Sequence, residues 1–204
     1  MNDQWTALLD AIQNVHSADA TLCNFCPFPD DITHQPVAPF HIPSSDLLQQ
    51  DVGLAQGPFK HIITAVQTAA PMAHWRQTYR GKNVSERFLD EFGCFCLIGT
   101  GGPFSSAQMN AWFVYMPANL TYPWHQHPAA ELYYCLSGSA DFFKQSNPAV
   151  TLTAGGSCYH SPNQPHAMVT QSSSVLAYVV WRDQFDQGAR LCAPDDGDSG
   201  ATRF

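Results

Sequence analysis

The feature that most limits how this chain can fold is a change of periodicity at Cys94. From there on, short segments rich in β-formers follow one another: Cys94–Ile98, Ala111–Met116, Glu131–Leu136, Ala140–Phe143, Val150–Leu152, Ser157–His160, His166–Thr170 and Val175–Trp181. Gly, Pro, Asn and Ser separate them at close intervals. So many short strands within about 90 residues indicate an antiparallel barrel or sandwich.

The residues before Cys94 read differently. Trp5, Leu8, Leu9, Ile12 and Val15 lie at helical spacing, so residues 3–16 form an amphipathic helix. The stretch 17–43, with Pro27, Pro29, Pro36, Pro39 and Pro43, reads as a long irregular connection whose role the sequence does not define. Ser44 and Ser45 are N-cap candidates for a short helix through Leu47 and Leu48. Phe59, Ile62, Ile63 and Val66 support another, interrupted or ended by Pro71. Ser85 opens a last short helix that Gly93 ends. The expected chain is therefore mainly β: a helical region at 1–93 packed on a barrel at 94–192, then an acidic, flexible tail at 193–204.

Composition narrows the function. Charged residues make up 13%, against roughly 25% in an average soluble protein. The net charge is −8 with nine Lys+Arg and no basic run, which argues against nucleic acid as a partner. No apolar run approaches the roughly 18 residues of a membrane helix, so no membrane partner is expected. Met1–Gln13 carries no secretory pattern, and seven cysteines cannot all pair. Reduced thiols in the cytoplasm are the simplest expectation. Cys23-x-x-Cys26 lacks a second pair at zinc-ribbon spacing, and Pro27 and Pro29 follow it, so these two read as ordinary thiols. Polarity comes instead from nine histidines, from Gln, Asn and Ser, and from an aromatic content of 12%. That balance hints at an internal site. No feature sets an oligomeric state.

The densest local pattern is Tyr122-Pro-Trp-His125-Gln-His127-Pro-Ala-Ala-Glu131-Leu-Tyr133. Alternate residues of a strand face one side, so His125 and His127 converge, and Glu131 returns to the same point from the next strand. Two imidazoles and a carboxylate suit a divalent first-row metal. His166 follows a turn, opens an apolar strand and can supply a fourth ligand. Tyr133, two residues after Glu131, faces the same interior, whereas Tyr134 faces away. His160 precedes the turn and reads as structural; His16, His34, His41, His61 and His74 have no partners at ligand spacing.

These segments resemble the two cupin motifs. His125-x-His127-x3-Glu131-x6-Gly138 matches the first, with Asn119 where the leading glycine stands. Gly155-x5-Ser161-x-Asn163-x2-His166 has the spacing of the second, with Ser161, Asn163 and Thr170 replacing Pro, Gly and Asn; Asn also tolerates the left-handed conformation. The resemblance implies a single cupin, an antiparallel barrel or jelly roll after an α-helical N-terminal part. A narrower likeness covers roughly residues 75–182. The runs Tyr122–Tyr133, Asn163–Met168 and Val175–Arg182 resemble the cupin-type dimethylsulfoniopropionate (DMSP) lyases of marine bacteria.

That likeness implies β-elimination of DMSP to dimethyl sulfide and acrylate, with a small zwitterionic substrate. His125, His127, Glu131 and His166 would hold one divalent transition metal: Fe, Mn, Co, Ni or Zn. Tyr133 would be the base and Tyr122 the second candidate. Tyr122, Trp124, Tyr133 and Trp181 would contact the substrate, aromatic faces serving the sulfonium. Two other readings share the metal motif. One is another metal cupin, a dioxygenase or isomerase. The other is a non-catalytic small-molecule-binding cupin.

Overall fold

The computed structural model describes residues 3–82 and 84–193; apart from Ala193, the expected tail lies outside them. The helices are α1 (Asp3–Ala18), α2 (Ala20–Phe25), α3 (Pro43–Gln50), α4 (Lys60–Ala69), which continues into a 3-10 turn at Ala70–Met72, and α5 (Glu86–Glu91). The strands are β1 (Thr33–His34), β2 (Trp75–Arg76), β3 (Gly93–Ile98), β4 (Phe104–Ser105), β5 (Asn110–Met116), β6 (Thr121–Gln126), β7 (Ala130–Lys144), β8 (Val150–Thr153), β9 (Ser157–His160), β10 (His166–Val169), β11 (Val175–Arg182) and β12 (Arg190–Leu191). They run β1-β4-β3-β5-β11-β7-β10-β6-β12, with β2 on β3 and with β8 and β9 on β7. This is the mainly β, jelly-roll architecture expected, with helices ahead of it.

The two leaves of the roll share β7. Its first part pairs with β11 and β9, and its second part with β8 and β10. The sequence suggested two strands here, Glu131–Leu136 and Ala140–Phe143; the structure joins them through Gly138, whose φ is 76°. A Cβ at that position would lie 1.7 Å from the Ser174 carbonyl oxygen. Only glycine lets the strand bend there while keeping both sets of partners.

Period two then builds two cores. Phe95 and Leu97 of β3, Phe113 and Tyr115 of β5, Leu132 and Tyr134 of β7, and Tyr178 and Val180 of β11 pack with the helices. Their neighbours Cys96, Trp112, Val114, Tyr133, Cys135, Ala177 and Val179 form a second core inside the roll. Both faces of these strands are buried, which is why they read as nearly continuous apolar runs. The outer core closes on Trp5, Leu8 and Ile12 of α1 and Ile62, Ile63 and Val66 of α4. His16 joins it, donating Nε2–H to the Cys26 carbonyl at 2.7 Å, with its Nδ1 3.1 Å from the Tyr178 hydroxyl.

Several local expectations change. The proline-rich stretch contains α2, capped by Asp19, whose Oδ1 accepts from the Thr21 and Leu22 amides. Further along, β1 pairs with β4, and Gln35 donates to the carbonyls of Gly99 and Gly102 at 2.7 and 2.8 Å. The stretch is thus strapped to the roll. Ser44 and Ser45 do not cap α3: Ile42 is its N-cap, Pro43 occupies the first turn, and both serines are fully buried. Ser85 does cap α5, accepting from the Phe88 amide, but the helix stops at Phe92 and Gly93 already belongs to β3. Among the described residues no disulfide forms, and no helix is long and apolar enough to cross a membrane.

Candidate metal centre

Register brings the site together. In the β10–β6 ladder His166 lies opposite His125, and in the β7–β9 ladder Glu131 lies opposite His160. Tyr122 pairs with Met168 and His125 with His166, so three steps on β6 match two on β10. This bulge turns Tyr122 and His125 to one side despite their odd spacing. Their rings stack at 3.9 Å and 10°.

Three imidazoles are held alike. Nδ1 of His125 donates to the Pro123 carbonyl at 2.8 Å, that of His127 to Ala129 at 3.0 Å, and that of His166 to Gln164 at 2.8 Å. A carbonyl only accepts, so Nδ1 carries the proton and the neutral ring presents a lone pair at Nε2. His127 Nε2 lies 3.3 Å from Glu131 Oε1, and His166 Nε2 lies 3.2 Å from Oε2. Both nitrogens are buried, and neither makes a hydrogen bond. The distances are short, and with both rings neutral no proton points along them. A lone pair aimed at a carboxylate oxygen is repulsive unless a positive charge lies between, and this fits a cation. One ligand atom each of His127, Glu131 and His166 lies within 4.8 Å of the others. His125 stands beside this group, its ring centroid 4.0 Å from that of His166.

Glu131 is 2% exposed, yet both of its oxygens are satisfied. Trp181 donates Nε1–H to Oε1 at 2.6 Å, and His160 donates Nδ1–H to Oε2 at 2.7 Å. Burial disfavours the charge, but the facing His127 and the hydrogen bond from His160 more than offset it and hold the carboxyl well below its usual range. Burial, with His166 nearby, keeps His125 well below the ordinary imidazole value and His160 at about 4. His127 moves up: burial opposes this, and the Glu131 charge overcomes it.

The group opens on a cavity of about 400 Å³. Its wall includes Tyr122, His125, His127, Glu131, Tyr133 and Trp181, with Phe92, Trp112, Val114 and Val179 as apolar lining. Such a volume suits a small organic molecule. The cupin-motif positions behave as their spacing requires. Asn119 and Asn163, standing where the motifs have glycine, adopt φ of 58° and 57°. The DMSP lyase family model matches residues 30–177.

This chain belongs to the DMSP lyase family.

It is 39% identical over 188 residues to the DMSP lyase DddQ of Ruegeria pomeroyi, covering 92% of this chain and 94% of that one. The crystal structure of DMSP lyase DddQ from the same organism matches with a TM-score of 0.93 at 38% identity, over 96% of this chain and 99% of the other. A structure from work on the DMSP lyases RdDddP and RnDddQII matches at 0.89 and 31%, over 94% and 98%. Membership of the DMSP lyase family makes this chain an enzyme of the carbon–sulfur lyase class.

Of the residues singled out in the sequence, His127, Glu131 and His166 form the tight group, while His125, Tyr122, Tyr133 and Trp181 share its cavity. Trp124 is half-buried and is not among the lining residues; the bulge on β6 gives its place to Tyr122 and His125. Trp181 does more than line the wall, since it also stacks on His127 at 4.3 Å. Tyr134 points outward to Asp19, and Arg182 to the Phe25 carbonyl, as strand parity required. Sequence reasoning missed His160, Tyr79, whose hydroxyl lies 3.0 Å from that of Tyr122, and Arg76, which lines the cavity over the Trp112 ring. A register drawn between β7 and β9 would have exposed His160; nothing local marks the other two.

Proposed function

We propose that this enzyme cleaves DMSP by β-elimination, giving dimethyl sulfide and acrylate, at a divalent transition metal held by His127, Glu131 and His166. The observation that carries the reading is the pair of buried Nε2 atoms, without hydrogen-bond partners, aimed at Glu131 in the wall of an aromatic-lined cavity. Together with family membership, it supports this chemistry over other uses of the fold. When bound, the ion draws electron density from the substrate carboxylate, makes the α-proton more acidic and favours a nearby phenolate.

The chain's own groups do the rest. Tyr133 sits two residues from Glu131 on β7, and both line the cavity. Burial, and then the charge of Glu131, push its phenol well above the ordinary value, so its phenolate depends on a compensating positive charge in the site. Tyr133 takes the α-proton, the C–S electron pair leaves with sulfur, and dimethyl sulfide departs as a neutral molecule. No general acid is needed. Tyr122 is the weaker candidate for the base, because its hydroxyl is engaged by Tyr79 and its ring by His125. Aromatic faces of Tyr122, Trp112 and Trp181 suit the sulfonium, each worth about 0.5–2 kcal/mol. His125, stacked on Tyr122, faces the substrate. The test is headspace dimethyl sulfide over purified protein and DMSP; no release above a boiled control, across several divalent metals, would sink the reading.

A further inference from the structure

His160 is a buried histidine that the mechanism above does not use. It lies on β9 directly opposite Glu131, and Cys158 lies directly opposite Tyr133. Its surface is fully covered. Three contacts tie it to three different groups of the site. Its Nδ1–H meets Glu131 Oε2 at 2.7 Å. Its ring stacks on His166 at 4.0 Å and 12°. It also meets the Tyr133 ring edge-on at 5.6 Å.

The proton on Nδ1 leaves Nε2 as an acceptor, and the Cys158 thiol stands 3.5 Å from it. A directional chain results, in which the Cys158 S–H faces His160 Nε2 and His160 Nδ1–H faces Glu131 Oε2. We infer that His160 is a positioning residue for the metal centre. It fixes which way the Glu131 carboxylate turns and braces the His166 ring, while Cys158 holds its tautomer. This rests on the proposed metal site and deepens it. The geometry has the logic of a partner behind a metal ligand, where the hydrogen bond orients the ligand rather than touching the substrate.

The test is Zn²⁺ affinity, titrated against a chromophoric chelator, for the wild type, His160→Phe, His160→Asn and His160→Gln. Phe keeps a stacking ring and loses the donor. Asn places an amide nitrogen near the Nδ1 position, whereas Gln carries it one methylene too far. His160→Phe is expected to weaken Zn²⁺ binding about 10–100-fold. His160→Asn is expected to recover much of that loss, and His160→Gln less. A rescue of affinity by one amide and not the other is something a merely space-filling histidine would not produce. Wild-type affinity in His160→Phe overturns the inference. Should His160→Phe fail to fold, equal affinities for the Asn and Gln variants overturn it as well. A wild-type protein that does not bind Zn²⁺ at all overturns the metal reading beneath both, which is a distinct result.

Discussion

Trp181→Phe separates two things that one side chain does. The indole stacks on His127 at 4.3 Å and donates Nε1–H to Glu131 Oε1 at 2.6 Å. A phenyl ring keeps a stacking partner and removes the donor. Glu131 is 2% exposed, so water cannot readily replace the lost bond. A hydrogen bond to a charged group contributes about 1.5–3 kcal/mol. At 1.4 kcal/mol per decade, this is about 10–150-fold in any equilibrium that needs Glu131 ionised and oriented. Metal binding is such an equilibrium, because a ligating carboxylate must be charged. The expected outcome is a divalent-metal Kd weakened by that factor, measured by chelator competition, and a higher carboxyl pKa. A contribution of Trp181 to the substrate pocket would appear separately, as a raised KM for DMSP at saturating metal. An unchanged metal Kd would refute the reasoning, since the indole N–H would then do nothing for Glu131.

Tyr133→Phe should lower kcat by roughly 10²–10⁴ while metal content, read by elemental analysis, stays at the wild-type level; Tyr122→Phe should mainly raise KM. His16 tests stability against pH: burial holds its folded-state pKa below the ordinary 6.5, so the unfolded chain binds the extra proton. Stability is therefore intact above 6.5 and falls as pH drops below it, by up to about 1.4 kcal/mol per unit for one proton. In urea melts at a series of pH values, His16→Gln should make the acid-side decline shallower than in the wild type. Gly138→Ala should destabilise by more than about 1 kcal/mol, seen as a lower urea midpoint, because the new Cβ is forced onto the Ser174 carbonyl at positive φ.

What the sequence made legible follows from period and spacing. Each segment expected after Cys94 to be strand is strand, two of them joined in β7, because alternation with buried neighbours on both faces leaves little else for residues such as Phe113 or Tyr178 to do. Asn163, which replaces a motif glycine, was readable as a turn residue; it holds the left-handed conformation, and so does Asn119. Of the four ligands expected from spacing, His127, Glu131 and His166 come to one point, and His125 stands beside them. Spacing within a strand could not show the bulge on β6, which puts Tyr122 against His125 and leaves Trp124 out of the lining. Nor could it show what stands across a ladder, and so His160 looked structural. Helix α2 was hidden because prolines on its C-terminal side marked the whole stretch as irregular, while the Asp19 cap and the buried Leu22 and Phe25 outweigh them. Ser44 and Ser45 resemble caps in sequence, but Pro43 starts the helix earlier.

The most direct test of the central claim is the product balance from DMSP with and without metal. Protein loaded with a divalent metal, chelator-stripped protein and re-loaded protein are each given the substrate. Dimethyl sulfide is then measured in the headspace and acrylate in solution. A metal-dependent β-elimination predicts equal amounts of the two products, loss of both on stripping and return of both on re-loading. Turnover that survives stripping, or dimethyl sulfide released without matching acrylate, would contradict it.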